Sequence, residues 1–385
     1  MAEEAAGRVK TILSFYTWWE PEKDLGPGMF ASLDRIRSLG FDCISYDIQY
    51  TWLRAARETW EKVLKACRER GISVVPVVSY GYLPGARALS ELTQMPVTTA
   101  IDSAGSPTDN IDVHDLANTE PMIEYLKLLI DAYEDDMFKV RGRTLLNFWE
   151  PSMVDWGSSQ RRHLGYGPEM VADFQRWASR RSSLAELNQR WGTDFPSVDE
   201  IKPPTEGLWD TKRDIIFIQP NLFWDDWCVF RAEVLARFYR KLFAELKKAR
   251  KVYIAIGLSQ HGVVTQHDCF HQRCVHLPLW RDVPADKFIV SDDLYCKSAS
   301  EVKTCMEAEL ALFRRYFGRR ISAFVTPVEG RILVERPGVL YSLCEEFGVE
   351  HAYLYAWNEM GDGANIRDHP KLWPEIKDLL AKEAG

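Results

Sequence analysis

The sequence predicts an α/β protein, a (β/α)8 TIM barrel with an elaborated loop insertion after strand 4, on three observations. Eight short runs rich in β-branched and aromatic residues recur along the 385 residues. Segments of helical periodicity separate them, as parallel neighbours require, because parallel strands are joined by crossovers. Several of those segments stop at a glycine just before the next run, at Gly40, Gly71, Gly318 and Gly348, the usual C-terminal punctuation of a helix.

The eight runs are Thr11–Tyr16, Phe41–Asp47, Ile72–Ser79, Arg143–Trp149, Val252–Leu258, Phe288–Ser291, Ile321–Thr326 and His351–Trp357. Helical periodicity covers Met29–Leu39, Thr59–Arg70, Glu120–Ala132, Phe230–Lys248, Ser300–Phe317 and Gly338–Phe347. Eight repeats favour a closed barrel over an open doubly wound sheet. After the first run stands Ser14-Phe-Tyr-Thr-Trp-Trp-Glu-Pro rather than a glycine-rich phosphate loop, which argues against nucleotide binding. The interval after the fourth run, residues 151–250, is too long for one loop and one helix and reads as an insertion on a single barrel domain spanning 1–385. A second excursion, Tyr80 to Asn118, forms another rim loop, and such loops build active-site walls.

A 46% hydrophobic content is enough for a large core. With 48 Lys+Arg against 56 Asp+Glu, the net charge of -8 leaves no basic footprint for nucleic acid. The acidic start lacks an apolar leader and no later run is long enough to span a bilayer, so a cytoplasmic protein away from membranes is expected. Eight cysteines spread through apparent strands and helices read as buried free thiols. Aromatic residues, 14 Trp among them, crowd the ends of the predicted strands. Indole stacks well on the C–H faces of sugar rings, although a large core also uses bulky residues.

Glu150 and Glu329 stand just past the fourth and seventh runs. In a closed barrel both reach the C-terminal mouth, where a pair of carboxyl groups can cleave a glycosidic bond. A lone glutamate there could simply pair with an arginine such as Arg331; two on suitable strands favour catalysis. Glu359, in Trp357-Asn-Glu, is the rival for the second role, and Glu20 is a further mouth carboxylate able to hold a hydroxyl. Asp47, Tyr50, Asn147, Tyr295 and Asn358 sit near strand ends and can bond sugar hydroxyls, or equally cap helices and loops. Trp18, Trp19, Trp149 and Trp156 are candidates for stacking on the sugar. His267, Cys269, His271, Cys274 and His276 form a low-ranking metal candidate, because their spacing matches no paired structural zinc site. The proposed chemistry needs neither metal nor cofactor.

The stretch from Asp173-Phe-Gln-Arg-Trp through Leu187-Asn-Gln-Arg-Trp-Gly-Thr to Ile201-Lys-Pro-Pro resembles a segment of the family 42 β-galactosidases, where it also follows the fourth strand. Thr59-Trp-Glu-Lys-Val-Leu-Lys-Ala-Cys-Arg-Glu-Arg-Gly looks like that family's second helix. The resemblance covers residues 10 to 360 and implies a clan A retaining glycosidase. It places the acid/base on Glu150, the nucleophile on Glu329, a sugar-flooring indole on Trp357 and a binding or rim role on Glu359. It also implies a galactose-like glycone and a homo-oligomer. Trp149 stands where the clan has Asn before the acid/base, and the nearest Asn is Asn147. An endo-acting β-glycanase of the same clan and a non-catalytic carbohydrate-binding barrel are the alternatives.

Overall fold

The structure, a computed structural model, describes residues 9–15, 27–47, 57–80, 83–155, 162–205, 209–210, 215–216, 222–260, 270, 273–292, 299–325, 328–329, 332–333, 337–357 and 366–384. Eight strands form its centre: β1 (Lys10–Phe15), β2 (Cys43–Asp47), β3 (Ser73–Tyr80), β4 (Arg143–Trp149), β5 (Val252–Gln260), β6 (Lys287–Asp292), β7 (Ile321–Val325) and β8 (His351–Leu354). Each pairs in parallel with the next, and β8 closes on β1 with Lys10 opposite His351 and Leu13 opposite Leu354. The chain is therefore a closed eight-stranded parallel barrel with helices around it, the TIM-barrel fold. Every predicted run overlaps one barrel strand. The last run was expected to reach Trp357, whereas β8 ends at Leu354.

Two side-chain layers hold the barrel. Ile12, Cys43, Val75, Leu145, Tyr253, Ile289, Phe324 and Tyr353 belong to one buried cluster that draws on all eight strands. Only the barrel interior can collect residues in that way, since alternate side chains of every strand point inward. The opposite faces, including Leu13, Ile44, Leu146, Phe148, Ile254, Phe288 and Ala323, join the helices in a second cluster. Phe148 meets Phe243 with ring centroids 4.8 Å apart, for example.

The helices are α1 (Pro27–Leu39), α2 (Arg57–Arg68), α3 (Ala86–Thr93), α4 (Thr119–Tyr133), α5 (Pro168–Ser179), α6 (Leu184–Trp191), α7 (Leu222–Ala249), α8 (Leu277–Trp280), α9 (Ala299–Phe317), α10 (Pro337–Glu346) and α11 (Trp373–Ala384). Helix α7 starts eight residues before the predicted Phe230. Its extra turns bury Phe223, Trp224 and Trp227, and rings on several sides obscure the one-sided period that a surface helix shows.

Helices α5 and α6 pack on that added half. Phe174 of α5 stacks with Trp191 of α6 and meets Trp227 edge-on, while Trp191 lies 4.4 Å from Phe223. Asp226 of α7 accepts from Trp191 Nε1 at 2.8 Å and from Arg190 at 2.7 Å. A capping box, Ser183 with Glu186, starts α6, and Gly192 at φ 70° ends it. Much of the tryptophan in this insertion therefore serves packing, not a sugar surface.

A hairpin of Thr99–Ile101 and Pro107–Ile111 rises after β3. It is tied to the segment after β4: Ser103 donates its backbone N–H to His163 at 2.8 Å, and Arg162 pairs with Asp102 at 3.0 Å. Two neighbouring rim loops are thereby joined into one wall.

Candidate active site

Glu150 is the first residue beyond β4. Its backbone N–H donates to the carbonyl of Gly257 on β5 at 2.8 Å, and its φ of 51° lies in the left-handed region. A non-glycine residue there carries a cost on the order of 1–2 kcal/mol, sustained only where the surroundings enforce it. This turn aims the carboxylate at Arg273, whose Nη1 donates to Oε2 at 2.6 Å. Glutamate and arginine side chains are 13% and 4% exposed, so the pair is largely withdrawn from water. A charge so enclosed needs a partner, and each supplies the other's.

The arginine's own segment is held from behind. The carbonyl of Arg273 accepts from the N–H of Met153, and the carbonyl of Met153 accepts from Arg231 of α7 at 2.6 Å. Arg231 is fully buried and also faces Nδ1 of His163 at 3.4 Å. Burial, reinforced by the Arg231 charge, holds His163 well below the usual imidazole range, so its neutral ring can accept. Cys274, next in the chain and itself at φ 61°, shares a hydrogen bond with Cys228 of α7. Burial pushes the Cys228 thiol up.

Glu329 ends the two-residue strand Val328–Glu329, just past β7 and antiparallel to Ile332–Leu333. Chain order and strand direction thus bring its backbone, like that of Glu150, to the C-terminal side of the barrel, while its side chain lies outside the described structure. Asp47 is the last residue of β2, and the same holds of its side chain. Trp18, Trp19, Glu20, Tyr50, Trp156, Tyr295, Asn358, Glu359, His267, Cys269 and His271 lie outside the described residues.

Three of the residues expected to contact substrate are buried. Asn147 is fully buried inside the barrel, its Oδ1 accepting from the hydroxyl of Tyr353 at 2.8 Å. Burial raises the Tyr353 hydroxyl, which stays protonated and able to donate. Trp149 is 2% exposed, edge-on to Phe324 and Tyr353 at 5.2 and 5.5 Å. Trp357 is likewise 2% exposed and stacks on Trp373 of α11. The inward phase of β4 explains the first two: residues 145, 147 and 149 all point into the closed barrel. The packing of Trp357 against α11 explains the third.

Of the metal candidates, the Cys274 thiol is engaged by Cys228, and the His276 ring packs on Phe270 at 5.5 Å. Burial lowers the pKa of His276. Among the described residues no three His, Cys, Asp or Glu side chains gather to hold a metal ion. Cys43, Cys67, Cys228, Cys274 and Cys344 are buried with reduced thiols. Among the described residues no helix is long and apolar enough to cross a membrane.

Sequence reasoning missed Gly257 and Arg273. Glycine within a strand signals close approach of a neighbour, and Gly257 carried that signal. Arg273 carried none.

Comparison with known proteins adds the fold. The chain matches no protein-family model and no curated protein. Among solved structures it is similar to the catalytic domain of β-amylase from Paenibacillus polymyxa, with a TM-score of 0.66 and 14% identity over 98% of this chain and 100% of that one. It is also similar to β-galactosidase from the psychrophilic Marinomonas ef1, with a TM-score of 0.62 and 13% identity over 97% of this chain and 59% of that one. The endo-1,4-β-mannanase from Rhizomucor miehei aligns at a TM-score of 0.55 and 10% identity over 97% and 95%. At such identities the likeness is one of architecture.

Proposed function

We propose that the chain is a glycoside hydrolase of clan A, a retaining β-glycosidase acting on small soluble oligosaccharides or glycosides. The observation that carries this reading is Glu150 itself: a left-handed, partly enclosed carboxylate at the C-terminal end of β4, on a barrel whose similar solved structures include a β-galactosidase and a mannanase. Catalytic groups of such barrels stand at that end of the strands.

In the proposed reaction Glu150 gives its proton to the glycosidic oxygen while Glu329 attacks the anomeric carbon, and the bond to the leaving sugar breaks. Water then attacks the same carbon, its proton passes to Glu150, and the ester to Glu329 breaks to free the carboxylate. This double displacement needs carboxyl groups about 5–5.5 Å apart, against roughly 6.5–9.5 Å for a single inverting step. Glu20, Asp47, Tyr50, Tyr295, Asn358 and Glu359 are proposed to hold hydroxyls, and Trp18, Trp19 and Trp156 to stack on the sugar. Galactose is the glycone to try first, on the resemblance in sequence. The insertion walls the site on the same domain, and a cytoplasmic setting goes with short imported substrates.

An aryl-glycoside panel tests this with wild type, Glu150→Ala and Glu329→Ala, each with and without azide. The expected loss on removing Glu150 is about 10²–10⁴-fold for unactivated substrates. Azide should rescue both variants with opposite product stereochemistry. Rescue with inversion through Glu359→Ala would move the nucleophile there. The endo-acting reading, favoured by the likeness to an endo-mannanase, predicts a ladder of oligomers from β-glycans instead of single sugars. A protein that binds sugars yet leaves every glycoside intact would be a binding barrel.

A further inference from the structure

We propose that Arg273 is a positioning residue for Glu150, holding its carboxylate ready for the water-dependent second half of the reaction. The inference rests on the glycosidase reading and adds a residue to it. Arg273 acts through Oε2 of Glu150, to which its Nη1 donates at 2.6 Å.

Four observations converge. The ion pair is largely sealed from solvent, which keeps it from being screened as a surface pair would be. Glu150 cannot relax backward, because its backbone N–H is committed to Gly257 and its φ is left-handed. Arg273 cannot swing away freely, because its carbonyl is bonded by Met153, which Arg231 holds in turn. The following residue, Cys274, is anchored to α7 through Cys228. A guanidinium fixed on one carboxylate oxygen sets the rotation of the group and leaves Oε1 as the atom available for proton exchange. Arg273 therefore matters most to hydrolysis of the glycosyl-enzyme and least to bond cleavage with a good leaving group.

The test uses 2,4-dinitrophenyl and phenyl β-galactosides with wild type, Arg273→Met, Arg273→Lys and Glu150→Ala. On the dinitrophenyl substrate, whose departure needs no proton, Arg273→Met should lower kcat by about 10–100-fold and KM in parallel, leaving kcat/KM nearly unchanged. Azide, which needs no base, should restore the lost kcat, and Arg273→Lys should retain part of it. Unaltered kcat in Arg273→Met, or a loss that azide fails to repair, overturns the proposal. Full turnover in Glu150→Ala instead removes Glu150 as the acid/base, and a wild type inert on these and every other aryl glycoside removes the glycosidase reading. Thermal melting judges the pairing without any activity: Arg273→Met should lower the Tm, and adding Glu150→Gln should recover part of the loss by removing the stranded charge. Strictly additive losses would show that the two side chains do not depend on each other.

Discussion

The indole of Trp149 occupies the space where a side chain at residue 257 would begin. Gly257 faces Trp149 across the β4–β5 ladder, and a Cβ built on it would lie 2.7 Å from the ring atom Cζ3. The same glycine offers its carbonyl to Glu150. One residue without a side chain thus serves both the filling of the barrel and the turn that presents the carboxylate.

Gly257→Ala should accordingly destabilise the protein. Alanine relieves a strand glycine's entropy cost by about 0.5–1 kcal/mol, but overpacking a rigid core costs about 1–3 kcal/mol, and the buried ring has little room to yield. Urea denaturation should show a lowered midpoint, with Trp149→Leu in the same chain recovering part of it. A midpoint at or above wild type would contradict the packing described.

Tyr353→Phe removes the donor from Asn147 at the centre of the barrel. An orphaned buried acceptor costs about 1–3 kcal/mol, whereas taking both polar groups away is far milder. Tyr353→Phe should therefore be less stable than Tyr353→Phe combined with Asn147→Leu. If the double variant is the weaker of the two, the hydrogen bond is not the reason these residues are there.

His351, at the start of β8, gives the fold an acid-sensitive point. Burial, and then the neighbouring Lys287 charge, lowers its pKa from 6.5 to about 4. Between those values the unfolded chain binds a proton that the folded chain refuses, so stability falls as pH drops through the window and is unaffected above it. At about 1.4 kcal/mol per pH unit the full effect is on the order of 3 kcal/mol. Denaturation midpoints at pH 7 and pH 4.5 should draw closer together in His351→Gln than in wild type. An unchanged gap would locate the acid sensitivity elsewhere.

The strands were legible because their signal is local. Runs such as Ile321-Ser-Ala-Phe-Val carry β-forming residues within a few positions, and the helices between them demand parallel pairing. Glu150 was legible for the same reason, as a carboxylate just past a strand end. The burial of Asn147, Trp149 and Trp357 was not legible, because proximity to a strand end does not say which way a side chain points. Inside a closed barrel an inward phase buries it, however near the mouth it stands. The start of α7 was missed because Phe223 meets α6, Trp227 meets α5 and Trp224 meets His163, partners that its own periodicity does not reveal.

By itself, then, the sequence determined the eight alternations, the barrel they close into and the strand ends where chemistry belongs, since backbone preference and side-chain period act over neighbouring residues. Tertiary structure alone decided that Arg273 grips Glu150 across 123 positions of chain, and that Gly257 makes way for Trp149. Those pairings exist only once closure and register have set β5 beside β4. No local pattern encodes a contact between segments that the fold has yet to bring together.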